Sequence, residues 1–230
     1  MTAPRYEIKF LLDDVSSNHA LNWICRCTQA VRSYPNRHVN SLYFDDAALR
    51  AAADNLVGMS DRQKTRLRWY HNGSGNDVLS PQLEIKHRIG RLGYKSQHPL
   101  PMFSDYLLKL KMKDLLPRAT KLIQGTNFGS RLRPHFLIPC AHVSYLREYY
   151  ADPLGLRITL DRDIRCYDVQ PYARISKTAP QICPYSVLEI KFPTELKDHA
   201  IKLIRRSSLS PQRHSKYLAS LAAFGKLVYE

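Results

Sequence analysis

The sequence predicts an α+β fold, in which an eight-stranded antiparallel closed β-barrel is surrounded by helices. Charged and apolar residues alternate in at least six segments, as they do on strands with one polar and one apolar face. The motif Leu-Glu-Ile-Lys occurs twice in this pattern, at residues 83–86 and 188–191. A sheet of about eight strands tends to close, and amphipathic helices can cover only its apolar face. We therefore expect the charged faces to line the interior.

The composition indicates a globular protein that binds polyanions. With 230 residues the chain can bury a sizeable core, and we expect a single domain over residues 1–230. The formal net charge of +15 favours phosphate-rich partners. The odd number of cysteines, without framework spacing, predicts free thiols. The sequence contains no run of 18 apolar residues, so we expect no transmembrane helix. We therefore expect a cytoplasmic protein.

In the first half of the chain, strands predominate. Alternating faces predict strands over residues 4–12, 38–45, 62–71, 81–89 and 91–98. Apolar spacing predicts a helix over residues 16–33 that begins at Ser16 or Ser17, and a short helix that begins at Asp46. The glycine- and asparagine-rich residues 72–77 predict a hairpin loop between two long strands.

In the second half, helices are more prominent. Leucines interleaved with lysines predict helical structure over residues 102–124, broken near Pro117. A polar, basic loop over residues 125–134 follows, and three prolines predict a loop or edge segment over residues 166–185. Further strands are predicted over residues 136–150, 155–165 and 186–192, and helices over residues 194–207 and from Ser215 onward.

The charged faces carry mostly lysine and arginine, with a few carboxylates among them. Burying unpaired cations is costly, so an interior of this kind has to be wet and built for anions. The four carboxylates on these faces have two readings: they balance charge through ion pairs, or they coordinate a divalent metal. The residues alone leave both readings open for Glu7, Glu84, Asp161 and Glu189.

Several common catalytic motifs are absent from the sequence. It contains no glycine-rich phosphate loop, no dinucleotide fingerprint, no HExxH zinc motif and no nucleophile elbow. The nine histidines are scattered without metal-ligand spacing. Phosphate chemistry in this protein would therefore depend on cationic side chains rather than on backbone amides.

Nine short segments, taken in order, resemble a known family. They are similar to the VTC-type polyphosphate polymerase domain of the triphosphate tunnel metalloenzyme (CYTH-like) superfamily. Each segment is weakly specific by itself, but together they span nearly the whole chain. The matching segments are residues 5–10, 39–45, 64–68, 83–86, 94–96, 144–147, 157–161, 187–191 and 215–217.

The resemblance implies a function as well as a fold. It implies an eight-stranded tunnel that moves the γ-phosphate of ATP onto a polyphosphate chain, with Mn²⁺ or Mg²⁺ as cofactor. Glu189 would hold the metal, and Arg66, Arg68, Lys86, Glu189 and Lys216 would be catalytic. By matched position, the phosphate-binding residues would be Lys9, Arg66, Arg68, Lys86, Lys95, Arg147, Arg157, Lys191, Ser215 and Lys216.

Alternative functions remain open at this stage. Hydrolytic members of the superfamily begin with Glu-x-Glu-x-Lys, whereas this chain has Arg5 at the first position, as the polymerase branch does. A hydrolase of tripolyphosphate or nucleoside triphosphates is one alternative. The other is a non-catalytic module that binds polyphosphate or RNA, because Tyr145 and Tyr149 share a strand face with Arg147. We expect ATP and inorganic polyphosphate as partners and no specific nucleic acid; the sequence identifies no membrane-protein partner.

Overall fold

A computed structural model describes residues 5–71, 78–123, 137–175 and 179–229. Its strands are β1 (Tyr6–Leu12), β2 (Val31–Asp45), β3 (Asp61–His71), β4 (Leu79–Ile89), β5 (Leu92–Pro99), β6 (Ile138–Ala151), β7 (Arg157–Tyr167), β8 (Gln181–Ile182) and β9 (Ser186–Phe192). Its α-helices are α1 (Asp14–Cys27), α2 (Arg50–Val57), α3 (Met112–Ile123), α4 (Lys197–Ile204) and α5 (Lys216–Ala223). The predicted loops at residues 72–77 and 125–134 lie wholly or largely outside the described residues.

One antiparallel sheet contains all of these strands. Its order is β1-β9-β7-β6-β2-β3-β4-β5, and the two-residue strand β8 pairs with the end of β7. Arg5 and Gly93 join the two ends of this path through a pair of backbone hydrogen bonds of 3.2 and 3.1 Å. The sheet is therefore strongly curved and its edges meet at one point.

The predicted closed barrel is correct only in part, because no continuous ladder joins β1 to β5. The two edge strands pair only at the Arg5–Gly93 bridge. Farther along β1, the segment before α5 approaches the free edge, and the Gln212 amide donates a hydrogen bond of 2.8 Å to the Lys9 carbonyl. That backbone group of β1 is therefore satisfied by a connecting segment rather than by β5.

The largest boundary error concerns α1 and β2. The carboxylate of Asp13 accepts a hydrogen bond from the Ser16 amide, so the helix begins at Asp14 rather than at Ser16 or Ser17. The helix ends at Cys27, and β2 begins at Val31, where the prediction still had helix. Pairing with β6 extends β2 to 15 residues, with register shifts in its first half.

The helical region before β6 also differs from the prediction. It begins with two short 3-10 segments, Pro101–Asp105 and Leu107–Lys109, and α3 then continues through Pro117 instead of breaking there. The buried face of α3 includes Leu115 and Ile123, and its packing against the sheet holds the helix together across the proline. In the part of the chain that the structure describes, none of the helices has the length and apolarity needed to cross a membrane.

Apolar side chains of the sheet point outward and pack against the helices. Three clusters of buried residues fill this space: one under α3, one under α1 and α4, and one under α2 and α5. This arrangement agrees with the prediction that the helices cover the apolar face. Representative sheet residues in the three clusters are Leu67, Leu83 and Ile85; Phe10, Ile158 and Ile190; and Val39, Val143 and Val187.

Asp45 connects three elements at the end of β2. Its side chain is 2% exposed, and its carboxylate accepts hydrogen bonds from the backbone amides of Asp46, Ala51 and Ala52 at 2.9 to 3.0 Å. The hydroxyl of Tyr217 on α5 donates a further hydrogen bond to the same carboxylate. One buried side chain therefore fixes the start of α2 and the position of α5 relative to the sheet.

We expect Asp45→Ala to lower the free energy of unfolding by about 2–4 kcal/mol, because buried helix amides and the Tyr217 hydroxyl would lose their acceptor. Urea unfolding measures this loss. The matched control is Asp46→Ala, whose more exposed carboxylate accepts from the Ala48 and Arg50 amides. The control should cost about 1 kcal/mol. Equal losses in the two variants would contradict this role for Asp45.

Candidate functional site

The curved sheet encloses a cavity of about 460 Å³ that is lined by its charged faces. All of the residues predicted to bind phosphate line this cavity, and Glu189 does as well. Eleven lysine and arginine side chains face two carboxylates, Glu7 and Glu189, among the described lining residues. The cations are Arg5, Lys9, Lys64, Arg66, Arg68, Lys86, Lys95, Arg147, Arg157, Lys191 and Lys216.

Strand register places like charges directly beside one another. Lys64 on β3 lies opposite Lys86 on β4, and Lys86 lies opposite Lys95 on β5. Cross-strand pairs of the same charge are destabilising, so this row is unfavourable in the empty protein. An anion inside the cavity would remove the penalty.

Glu84 forms ion pairs with three of the cations. Its side chain is 1% exposed, and its carboxylate lies 2.6 Å from Arg66 Nη2, 3.0 Å from Lys95 Nζ and 3.8 Å from Arg68 Nη1. Burial raises the pKa of Glu84, but the three cations outweigh burial and keep the pKa far below its usual value. Glu84 is therefore ionised, and it orients Arg66 and Arg68 on β3.

Asp161 has a similar role on β7. It is fully buried, and Arg147 grips its carboxylate with two nitrogens at 2.5 and 2.7 Å. Lys216 Nζ lies 2.6 Å from the same carboxylate. Burial raises the pKa of Asp161, and the two cations lower it below the usual value. Neither Asp161 nor Glu84 lines the cavity, so the geometry favours the ion-pair reading for both.

Glu7 and Glu189 differ because both face the cavity from adjacent strands. Lys9 Nζ lies 3.2 Å from Glu7 Oε1 and 3.4 Å from Glu189 Oε1, between the two carboxylates. Lys86 also contacts Glu7 at 2.9 Å, and Lys191 pairs with Glu189. Burial raises the pKa values of both glutamates, but the neighbouring lysines hold them well below the usual value. Both glutamates are therefore ionised at neutral pH.

These two carboxylates fit part of a divalent metal site. Mg²⁺ and similar ions are often held by one or two carboxylates together with the phosphate oxygens of the substrate. Among the described residues, no group of three or more histidine, cysteine, aspartate or glutamate side chains could hold a metal. A metal at Glu189 and Glu7 would therefore need phosphate or water oxygens to complete its coordination.

Lys64 is a cavity residue that the sequence prediction omitted from the site. In the described part of the chain no carboxylate lies within ion-pair distance of it, and its Nζ donates a 3.1 Å hydrogen bond to Ser215 Oγ. Burial, together with the charges of Lys86 and Lys9, lowers its pKa well below the usual value. Lys64 could have been identified from the sequence, because it alternates on one strand face with Arg62, Arg66 and Arg68.

Tyrosines also line one opening of the cavity, and of these only Tyr149 had been considered from the sequence, as part of the RNA-binding alternative. Tyr34, Tyr70 and Tyr149 line the cavity, and the rings of Tyr34 and Tyr149 meet edge to face with centroids 5.8 Å apart. The guanidinium of Arg37 lies 5.6 Å from the Tyr34 ring and 5.8 Å from the Tyr70 ring. Tyr34 is 58% exposed, so an aromatic face is accessible at this opening. Only its position in the irregular first half of β2 brings Tyr34 to the site.

Comparisons with known proteins agree with this architecture. No curated protein sequence matches the chain. A structure from Pyrococcus horikoshii OT3 has 13% identity, covers 95% of this chain and 98% of its own, and gives a TM-score of 0.54. A Vibrio parahaemolyticus protein provisionally described as an adenylate cyclase has 10% identity. The match covers 95% of this chain and 98% of that protein, with a TM-score of 0.53. At these identities the likeness concerns the fold alone. The VTC domain family matches residues 4–225, which confirms the resemblance, and the chain belongs to that family.

Proposed function

We propose that this protein is a polyphosphate polymerase-like phosphotransferase that moves the γ-phosphate of ATP onto a polyphosphate chain. The main support is the excess of cations over carboxylates around the cavity, with Lys64, Lys86 and Lys95 in adjacent register. Such a surface suits a chain of phosphates along its length rather than a single anion. Membership of the VTC domain family supports the same reaction class.

The residues of the cavity suit phosphoryl transfer because this reaction needs positioning and charge stabilisation more than a protein nucleophile. Glu84 and Asp161 hold Arg66 and Arg147 in fixed orientations, so both guanidinium groups are preorganised to contact phosphate oxygens. A terminal oxygen of the acceptor chain attacks the γ-phosphorus, the bond between that phosphorus and the β–γ bridging oxygen breaks, and ADP leaves. The acceptor oxygen is already ionised at neutral pH, so no general base is required.

Glu189, assisted by Glu7, is the best candidate to hold Mn²⁺ or Mg²⁺. When bound, such an ion offsets negative charge on the phosphates. Lys9 lies between the two carboxylates and neutralises them in the absence of metal. Arg66, Arg68, Lys86 and Lys216 would act on the phosphates directly, and the remaining predicted cations would align the chain.

The ionised glutamates are poor candidates for the base of a hydrolase, although burial lowers the pKa of the lining residue Lys86 to about 8. A hydrolase has to activate water, which usually requires a base whose pKa lies near the working pH. Glu7 and Glu189 are the acidic residues that line the described cavity, and lysines lower both of their pKa values, so each is a weak base. No histidine lines the cavity among the described residues. Hydrolysis of tripolyphosphate or a nucleoside triphosphate is the second candidate.

Product analysis tests the proposal directly. Purified protein incubated with ATP and Mn²⁺ should give ADP and long chains that a gel resolves. Free phosphate without chains would identify a hydrolase, and the absence of turnover would indicate a binding module.

We expect Glu189→Gln to abolish chain formation and to keep ATP binding without metal. The control Glu148→Gln removes a buried, ion-paired carboxylate outside the cavity and should keep turnover. Normal turnover of Glu189→Gln at low Mn²⁺ would remove Glu189 from the site.

We expect Lys64→Met to weaken polyphosphate binding without lowering stability at neutral pH, because the Lys64 charge is unfavourable in the empty cavity. Its folded-state pKa lies below the unfolded value, so the free energy of unfolding of the natural protein should rise with pH between these values. The variant should lack that contribution. Urea unfolding at neutral and alkaline pH, with polyphosphate titration, measures both effects.

Lys9→Met is the matched control for Lys64→Met. Burial lowers the pKa of Lys9, but Glu189 and Glu7 outweigh burial and raise it above the usual value. Removing Lys9 would leave these two carboxylates facing each other with one cation fewer, so stability at neutral pH should fall. Similar destabilisation in both variants would show that Lys64 is not under electrostatic strain.

We expect Tyr34→Ala to weaken ATP binding by roughly fivefold or more and to leave tripolyphosphate binding unchanged, since a base stacked on an aromatic ring contributes about 1–3 kcal/mol. Calorimetric titration of both ligands measures the difference. The control is Tyr172→Ala, which removes a tyrosine that is 72% exposed and does not line the cavity. Parallel losses for ATP and tripolyphosphate would mean that the tyrosine opening does not recognise the nucleoside.

A further inference from the structure

A second cavity lies where the sheet fails to close. Its volume is about 650 Å³, and its lining includes Glu7 and Lys9 of β1 together with the segment that precedes α5. Glu7, Lys9 and Ser215 also line the tunnel cavity described above. The two spaces therefore adjoin at β1 and the segment before α5.

Three arginines line this second cavity, and we call them the arginine opening: Arg62, Arg88 and Arg213. In the part of the chain that the structure describes, none of them lies within ion-pair distance of a carboxylate. Burial lowers the pKa of Arg62, and the charges of Arg88 and Arg213 lower it further. The positive charge of the arginine opening is therefore concentrated, and only the more distant Asp54 partly offsets it at Arg62.

Contacts with the backbone hold the three guanidinium groups in place. Arg62 donates to the Met59 carbonyl, and Arg88 Nε donates to the Gly90 carbonyl at 3.2 Å. Arg213 packs against Gly58, where an added Cβ would lie 2.9 Å from its Nη2. Because these contacts involve neutral carbonyls and a glycine, they leave the net charge of the three side chains unchanged.

Two buried polar groups beside the arginines lack a partner. Asn55 Nδ2 and His214 Nε2 make no hydrogen bond with any residue that the structure describes, although both residues are buried and both line the second cavity. A buried polar group without a partner costs free energy, and it usually indicates that a ligand or water completes the site. The arginine opening thus combines concentrated positive charge with unused hydrogen-bonding capacity.

We propose that the arginine opening is a second phosphate-binding site, which holds the part of a polyphosphate chain that extends beyond the tunnel. This proposal rests on the proposed function, because it requires that the tunnel takes a phosphate chain. A chain held in the tunnel near Lys9 and Ser215 can continue between β1 and the ends of β3 and β4. There it meets Arg62 and Arg88 from the sheet and Arg213 from the segment before α5.

The test compares a short and a long phosphate chain as probes, without ATP or metal. In the triple variant Arg62→Gln, Arg88→Gln and Arg213→Gln, long-chain polyphosphate should bind roughly tenfold more weakly or worse. Tripolyphosphate fits within the tunnel, so its affinity should stay within about twofold. Isothermal titration calorimetry at a fixed salt concentration measures both affinities.

A second triple variant controls for the change in net charge. Arg26→Gln, Arg205→Gln and Arg206→Gln remove the same charge from exposed positions on α1 and after α4. Equal weakening of long-chain binding by both triple variants would overturn the proposal, because the effect would then come from net charge. Equal weakening of tripolyphosphate and long chains by the arginine-opening variant would overturn it as well.

Titration with orthophosphate tests whether the arginine opening binds free phosphate instead of a polyphosphate chain. If the arginine opening binds free phosphate only, the triple variant should lose orthophosphate binding but keep its affinity for long chains, and the proposal fails. The single variant Arg88→Gln, which leaves the Met59 and Gly58 contacts intact, guards against misfolding and should show a smaller, chain-specific loss. Selective loss for long chains in a protein that forms no chains from ATP would support the site while rejecting the polymerase function.

Discussion

Repulsion among cations inside a curved sheet is the constraint on which the rest of this structure depends. The sheet directs its apolar face to the helices, so every charged face has to share one interior space. Lys64, Lys86 and Lys95 lie in adjacent register and cannot separate without breaking the strand pairing. The fold can tolerate this row only if carboxylates, water or a bound anion offset the charge.

The carboxylates solve this problem in two different ways. Glu84 and Asp161 are buried and do not line the cavity. Each neutralises and orients a small group of cations that do line it. Glu7 and Glu189 face the cavity and share Lys9, which leaves them accessible to the phosphate chain and metal proposed above. The positive charge that remains is available for phosphate. Under the proposed function, phosphate binding and stability would be opposed at Lys64 and cooperative at Lys9.

The sequence by itself determined the strand pattern, the inward direction of the charged faces and most of the charged residues that line the cavity. Alternation has a period of two residues, so knowing that helices cover the apolar face decides the side on which Lys9, Arg66 and Glu189 lie. The family could be identified for a related reason, since each of its nine segments contributes at least one residue to the cavity lining: eight from the sheet, and residues 215–217 from the start of α5.

Only the tertiary structure decided how the charges are grouped and where the sheet stays open. Glu84 and Glu189 occupy the same place in two copies of one motif, yet only Glu189 lines the cavity, while neighbouring cations cover Glu84. This difference depends on the neighbouring strands, which local alternation does not encode. The tyrosine opening and the arginine opening likewise join residues from distant segments. Their formation depends on the β2 register shifts and on the segment that occupies the edge of β1, because both are set by long-range packing.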